Sequence, residues 1–251
     1  MRKLKFYSVL LATTICFNAF SPAIINAGEL SNVAVKEKIG DTDIVTARKA
    51  DLDVLLKTLE SKHPNIYNKN DKSVFDKKLA EIERKLDTMS DLDFAIAVSE
   101  LTALVGDSHT KSAIGSVLGE SAHFLPLNLA IVEEGLLITA IPDEHKQVLG
   151  GILTSINGIP MEEIKQKLIP MFSFDNQIYL DKEFASTFYI YEILEHYGVL
   201  RSPENISLEI ALGEKVETIK VNAVNTETMN TMKIARIERP IPETIRDKSK
   251  I

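Results

Sequence analysis

The spacing of hydrophobic residues along this chain changes near residue 120. The change predicts helices in the first half of the chain and β-hairpins in the second. In the first half, apolar residues recur three and four positions apart, which is the spacing of one face of an α-helix. In the second half, short apolar runs are separated by glycine-containing turns, as in β-hairpins. The predicted fold class is therefore α+β: a small amino-terminal three-helix bundle followed by a mixed β-sheet module with helices.

Three helices are predicted before residue 117. The first is expected to end before His63, because a residue that precedes proline avoids helical backbone angles. The third is expected to begin after Ser90, whose hydroxyl suits a helix N-cap. Asp91 and Asp93 would then lie in its first turn, where the helix dipole favours negative charge.

The second half predicts a sheet with two further helices. The predicted elements are strands 125–132, 136–141 and 152–156, helices 161–168 and 181–197, and strands 207–212 and 216–221. The residues from 222 onward are polar and have no periodic pattern long enough to fold alone. We therefore expect them to form a loosely held tail.

The first 27 residues are predicted to be a secretory signal peptide. Arg2, Lys3 and Lys5 precede an apolar stretch, and Ala27 offers a small residue at a cleavage site. An uncleaved anchor is the alternative, but the stretch is shorter than the about 20 apolar residues that span a bilayer. Cleavage would change the net charge from −7 to −10 and remove the only cysteine, Cys16. We therefore expect a secreted or cell-envelope protein without disulfides or stable membrane insertion.

The charge pattern excludes several classes of partner. The chain is acidic and has no cluster of lysine and arginine, so nucleic acid and anionic membrane surfaces are not expected to bind. Histidines and cysteines do not occur at the spacing of metal ligands, and there is no glycine-rich phosphate loop. No metal or cofactor is therefore expected. These patterns leave the oligomeric state open.

Ser108 and His109 are the candidate catalytic residues. They follow the glycine that ends the third predicted helix, and an imidazole held at a helix end suits acid–base chemistry. No Gly-x-Ser-x-Gly motif supplies a nucleophile. The alternative is a helix-terminating turn, in which Asp107 or Ser108 bonds the local backbone and His109 is partly buried.

Two groups of motifs occur in order along the chain. The first comprises residues 51–56 and 63–67, Phe75 and residues 103–110, and the second comprises residues 125–127, 134–138 and 151–158. The first group resembles the amino-terminal region of tail-specific, or C-terminal processing, serine peptidases, especially their tricorn-like relatives. The second group resembles the PDZ-like module of the same family. Together the two groups extend over most of the chain that follows the predicted signal.

The resemblance implies a domain order and a role for one histidine. Residues 28–117 would form an amino-terminal linker and helical bundle, 118–222 a PDZ-like domain, and 223–251 a polar tail at the start of a catalytic core. His109, preceded by Ser108, matches the general base of the tricorn-like branch. The family's nucleophile lies in a core after the PDZ-like part, so we expect a peptidase homologue truncated before its nucleophile and inactive alone. Whether this chain is itself an enzyme stays open.

The resemblance also implies a peptide-binding edge at Phe124, Leu125 and Leu127. PDZ-like modules add a peptide as a strand beside a sheet edge and hold its terminal carboxylate with backbone amides. The implied partners are peptide or protein C-termini, and a binding module that does not cleave is the alternative function. Pro126 has no N–H to donate, so peptide capture and a purely structural edge strand both stay open.

Overall fold

The structure is a computed structural model that describes residues 43–112 and 114–237. The predicted signal peptide at residues 1–27 therefore lies outside the described residues, as does Cys16. The described chain combines helices with antiparallel sheet, which confirms the α+β class. It divides into two compact units: unit 1 comprises the chain up to Val117 together with Ser173–Asp175, and unit 2 comprises Leu118–Phe172 and the chain from Asn176 onward.

Unit 1 contains the three helices that the apolar spacing predicted: α1 (Ile44–Lys62), α2 (Lys72–Glu83) and α3 (Asp91–Ala103). The predicted N-cap of α3 is confirmed. The Ser90 hydroxyl accepts the backbone N–H of Asp93 at 3.0 Å, and the Asp93 carboxylate accepts the backbone N–H of Ser90 at 3.2 Å. This reciprocal capping box satisfies two N–H groups that the first turn of α3 leaves without helical partners.

One apolar core holds unit 1 together. Its buried members come from all three helices and the turns between them: Leu52, Leu55, Leu59, Ile66, Phe75, Ile82, Leu86, Phe94, Ala97, Val98, Leu101 and Val105. Burying each large side chain of this kind contributes about 1.5–3 kcal/mol. The core therefore sets the relative positions of the loops that follow α1 and α3.

Unit 2 is built around a sheet whose described strand pairs are all antiparallel, which corrects the expectation of a mixed sheet. From Gly115 onward the described α-helices and β-strands are α4 (Gly115–Leu118), β1 (His123–Phe124), β2 (Asn128–Val132), β3 (Gly135–Pro142), β4 (Ile152–Ile156), β5 (Ile159–Pro160), α5 (Met161–Leu168), α6 (Gln177–Thr187), α7 (Tyr191–His196), β6 (Ile206–Leu212), β7 (Lys215–Val221), β8 (Val224–Asn225), α8 (Thr226–Thr231) and β9 (Ile234–Arg236). The main sheet has the order β2-β3-β4-β6-β7, with β5 paired to β4 and β9 paired to β3. Strands β1 and β8 form a separate pair. Strand β2 thus lies at one edge of the main sheet and β7 at the other.

The prediction of one helix over residues 181–197 is wrong. The chain forms α6, leaves the helical conformation at Ile190 (φ −82°, ψ 113°) and re-enters it in α7. Ile190 forms an isolated β-bridge with Phe124, and the carbonyl of Tyr189 accepts the N–H of Leu125 at 2.8 Å. This long-range pairing interrupts a run whose apolar spacing alone favours continuation.

The prediction of a loosely held tail is wrong for residues 223–237. Strand β9 joins the main sheet, where Ile234, Ala235 and Arg236 pair with Pro142, Ile141 and Ala140. Strand β8 pairs with β1. A polar segment without its own periodicity can thus be ordered by backbone hydrogen bonds to strands elsewhere in the chain. In the described part of the chain, no helix is both long and apolar enough to cross a membrane.

Candidate functional site

Residues 106–110, called the Ser108 turn below, follow α3 in unit 1. Gly106 adopts a left-handed conformation with φ of 72°, and its N–H bonds the carbonyl of Ala103 at 3.0 Å. A Cβ atom at this position would lie 2.5 Å from Cδ of Lys69. Glycine is therefore favoured here both by its backbone angle and by the space around it.

The carboxylate of Asp107 organises the turn. Its Oδ1 accepts the backbone N–H groups of His109 at 2.7 Å and Thr110 at 2.9 Å. Its Oδ2 accepts the Thr110 hydroxyl at 2.7 Å and lies 2.9 Å from Nε2 of His63. The prediction that Asp107 bonds the local backbone of a helix-terminating turn is therefore confirmed.

His63 connects the end of α1 to this turn. Its Nδ1 accepts the backbone N–H of Asn65 at 3.2 Å, so the ring proton lies on Nε2 and is donated to Asp107. Burial raises the pKa of Asp107, but the hydrogen bonds from Thr110, His109 and His63 outweigh it and hold that pKa below its ordinary value. Asp107 is thus a stable anion at the base of the turn.

Asp175 holds Ser108 from a distant part of the sequence. Its Oδ2 accepts the backbone N–H of Ser108 at 3.2 Å and also accepts the Ser108 hydroxyl. Close by, the hydroxyl of Ser173 donates to the carbonyl of Asp107 at 2.5 Å. Residues 173–175 therefore form one side of the site, and no sequence motif indicated them.

His109 is exposed, which corrects the expectation that its ring would be partly buried. Its Nδ1 lies 3.3 Å from the Ser108 hydroxyl oxygen. The Asp175 carboxylate can only accept, so it takes the hydroxyl proton of Ser108, and the contact with His109 requires Nδ1 to donate. In the neutral imidazole, Nε2 is then the basic nitrogen.

The order Asp175, Ser108, His109 differs from a serine-protease triad, in which histidine lies between the carboxylate and the nucleophilic serine. Here serine is central, and its hydroxyl proton is directed to a carboxylate instead of a basic nitrogen. Ser108 is therefore placed to orient an imidazole and not to attack a substrate. Among the described residues, no group of three or more His, Cys, Asp or Glu side chains could hold a metal ion.

A second candidate site lies in unit 2, between β2 and α6. We call it the β2–α6 groove; its volume is about 450 Å³. The β2 side contributes Leu127, Asn128, Leu129 and Ile131, the α6 side contributes Lys182, Ala185, Ser186 and Tyr189, and Thr139 of β3 completes the lining. Leu129 and Ile131 lie two positions apart on β2 and so share one strand face, and Ala185 and Ser186 follow Lys182 by three and four positions on α6.

The three residues predicted for peptide binding occupy different places. Leu127 lines the groove. Phe124 lies in β1, and its ring contacts the ring of Tyr189 at 5.9 Å between centroids. The side chain of Leu125 is 0% exposed, so the prediction that it contacts a peptide is wrong: it belongs to the core. The wall formed by α6 was missed, although the spacing of Lys182, Ala185 and Ser186 would have indicated a helical face.

No model of a protein family matches this chain, and no curated protein sequence is similar to it. The geometry of each unit by itself therefore carries the functional conclusion. Unit 1 carries an oriented histidine, and unit 2 carries a groove beside an edge strand.

Proposed function

We propose that the protein is an exported peptide-binding protein whose PDZ-like unit 2 takes an extended peptide or protein segment into the β2–α6 groove. The observation that carries the proposal is the position of the groove directly beside β2, an edge strand of the main sheet. Strand addition at such an edge supplies backbone hydrogen bonds, and a groove lined by side chains supplies selectivity.

The groove offers both kinds of contact. Among the described strands β2 pairs only with β3, so one side of its backbone is available to an added strand. Leu129 is partly exposed and Ile131 is 45% exposed, although both are apolar. A peptide side chain packed against them would remove this surface from water, which contributes about 25 cal/mol per Å² of apolar area.

The size of the α6 residues favours entry of a side chain. Ala185 and Ser186 are small and lie between the longer Lys182 and Tyr189 along the same wall. A peptide side chain can therefore approach the helix backbone between these two. Replacing Ala185 by phenylalanine would fill this space without changing the strand edge.

Peptide selection and a groove-filling variant test the proposal. Peptides selected from a random displayed library against the full chain are synthesised with a fluorescent label, and their affinity is measured by anisotropy. Ala185→Phe is expected to lower the affinity at least about tenfold, which corresponds to 1.4 kcal/mol. Val216→Phe, at the exposed position on β7 at the opposite sheet edge, is the matched control and is expected to leave affinity unchanged. Equal effects of the two variants would contradict the proposal.

A second candidate function is favoured by the orientation of His109. The protein would be a tail-specific-type serine peptidase homologue in which His109 is the general base, held by Ser108 and Asp175. Ser108 is not placed as a nucleophile, so we expect the chain alone to lack serine-dependent peptidase activity. Robust hydrolysis of a casein or peptide substrate, blocked by a serine-directed inhibitor and lost in Ser108→Ala, would contradict this expectation.

A further inference from the structure

We propose that the β2–α6 groove binds a peptide segment without recognising a terminal carboxylate, so that internal segments bind as well as chain ends, and that Lys182 selects segments with an acidic side chain. This inference rests on the proposed peptide-binding function. It concerns two features of unit 2: the hydrogen-bond state of the loop before β2 and the charge of the groove wall.

The loop before β2 has no N–H group to offer a ligand at three successive positions. The N–H of Leu125 bonds the carbonyl of Tyr189 at 2.8 Å, and the N–H of Leu127 bonds the carbonyl of Leu125 at 2.8 Å. Pro126 between them has no N–H. A terminal carboxylate needs donors to replace the water that it loses on binding. These three positions therefore cannot capture one without breaking the bonds that shape the loop.

Among the residues that line this end of the groove, no cationic side chain takes the place of the missing N–H donors. The rings of Phe124 and Tyr189 pack together there, with centroids 5.9 Å apart. Lys182 is the only charged residue among those that line the groove, and it precedes Tyr189 by seven positions. Helix α6 ends at Thr187, and the five residues from Lys182 to that end correspond to about 7.5 Å along the helix axis. The cation is therefore placed beside the middle of a bound strand and not beside its end.

The charge of Lys182 indicates which kind of side chain the bound peptide carries. Its side chain is exposed, and its ammonium lies 5.8 Å from the centroid of the Tyr179 ring. The chain as a whole carries a net charge of −7, so its surface in general repels anions. Within the groove, the cationic Lys182 is complementary to an anionic side chain of a bound peptide. An aspartate or glutamate within the peptide meets this cation, while apolar neighbours pack against Leu129 and Ile131.

The format of peptide display distinguishes internal segments from chain ends. A random segment of about ten residues, long enough to cover a strand of average length, is displayed either at a free carboxyl end or between two Gly-Ser linkers. Peptides selected on the full chain are synthesised with a free carboxylate, with a C-terminal amide, and with linkers at both ends. Affinities are measured by fluorescence anisotropy.

We expect both formats to yield binders, and the three synthetic forms to agree within about twofold because no group in the loop recognises the carboxylate. Selected peptides are expected to share an acidic residue, and its change to glutamine should weaken binding about threefold to fivefold. Lys182→Gln should remove that difference. Lys215→Gln, an exposed lysine on β7 at the opposite sheet edge, is the matched control and should retain it.

Four outcomes would overturn the inference, in distinguishable ways. A free carboxylate that improves affinity more than about tenfold would show that the terminal carboxylate is recognised, and the peptide-binding function would stand. An acidic preference that persists in Lys182→Gln would remove the role of Lys182. A dimer in sedimentation that Ala185→Phe dissociates would assign the groove to a second copy of the chain. Absence of binders in both formats would overturn the proposed function together with the inference.

Discussion

The carboxylate of Asp175 accepts both the backbone N–H of Ser108, at 3.2 Å, and the Ser108 hydroxyl. The hydroxyl proton of Ser108 is thereby directed away from His109, and the ring contact at 3.3 Å becomes a hydrogen bond donated by Nδ1. One distant carboxylate therefore determines which nitrogen of His109 is basic. The same contact separates this site from a serine-protease triad.

Asp175→Asn tests that relationship. The amide keeps the shape of the side chain but removes the charge, so the Ser108 hydroxyl can donate to Nδ1 of His109 instead. We expect the population of the Nδ1–H tautomer of His109 to fall. Long-range nitrogen–proton NMR spectra of the histidine rings measure it directly. Asp87→Asn, at an exposed site in unit 1, is the control. An unchanged tautomer population in Asp175→Asn would contradict the assigned role.

Asp107→Asn tests the anion at the base of the Ser108 turn. Hydrogen bonds to a charged group contribute about 1.5–3 kcal/mol each, so we expect the free energy of unfolding to fall by roughly that amount at neutral pH. The folded-state pKa of Asp107 is depressed below 3.8, so its contribution is present above that pH and is lost as pH falls through the folded-state pKa.

Urea unfolding of wild type and Asp107→Asn across a range of pH measures this linkage. The difference between the two proteins is expected to be constant near neutrality and to shrink in acid. Asp53→Asn, at an exposed position on α1, provides the control and should show little difference at any pH. A difference that grows on acidification would have the wrong sign.

Gly106→Ala tests the backbone of the turn. The new Cβ would meet Lys69 as well as the positive φ, so we expect a loss of about 1–2 kcal/mol. Gly198→Ala is the matched control, because Gly198 also follows a helix with positive φ but has no atom within 4 Å of the point that a Cβ would occupy. Urea unfolding should show the larger loss for Gly106→Ala. Equal losses would mean that Lys69 moves aside without cost.

Arg48→Met tests the main polar contact inside unit 1. The guanidinium donates to the carbonyls of Leu86 and Met89, pairs with Asp91 at 2.7 Å and lies 5.1 Å from the centroid of the Phe94 ring. Removing it leaves carbonyls at the α2–α3 turn without donors, so we expect a loss of about 3 kcal/mol or more.

The control for Arg48→Met is Arg84→Met, at an exposed position where the guanidinium bonds only one turn back on its own helix, to the carbonyl of Ala80. Surface changes of this kind usually alter stability by less than about 0.5 kcal/mol. Thermal or urea unfolding compares the two variants. A similar loss of stability in both variants would show that the buried contacts of Arg48 stabilise the protein no more than the contacts of an exposed arginine do.

The sequence pattern was sufficient to predict those elements that are stabilised by residues close together in the chain. The three helices of unit 1, the capping box at Ser90 and the strand over Ile152–Ile156 were predicted because periodicity and capping act within a few residues. The break at Ile190 was missed because it depends on a β-bridge to Phe124. The order of residues 223–237 was missed for the same reason, since β9 is held by β3.

In the candidate sites, too, the features set by neighbouring residues were predicted and those set by long-range contacts were not. The sequence by itself determined that Ser108 and His109 follow a helix-ending glycine and that Asp107 can hold such a turn, because these are neighbours in the chain. Only the tertiary structure decided that His63 and Asp175 meet this turn, that His109 is exposed and that α6 forms the second wall of a groove beside β2. Hydrogen bonds between residues 44 and 67 positions apart leave no local period, so the folded backbone alone brings these groups together.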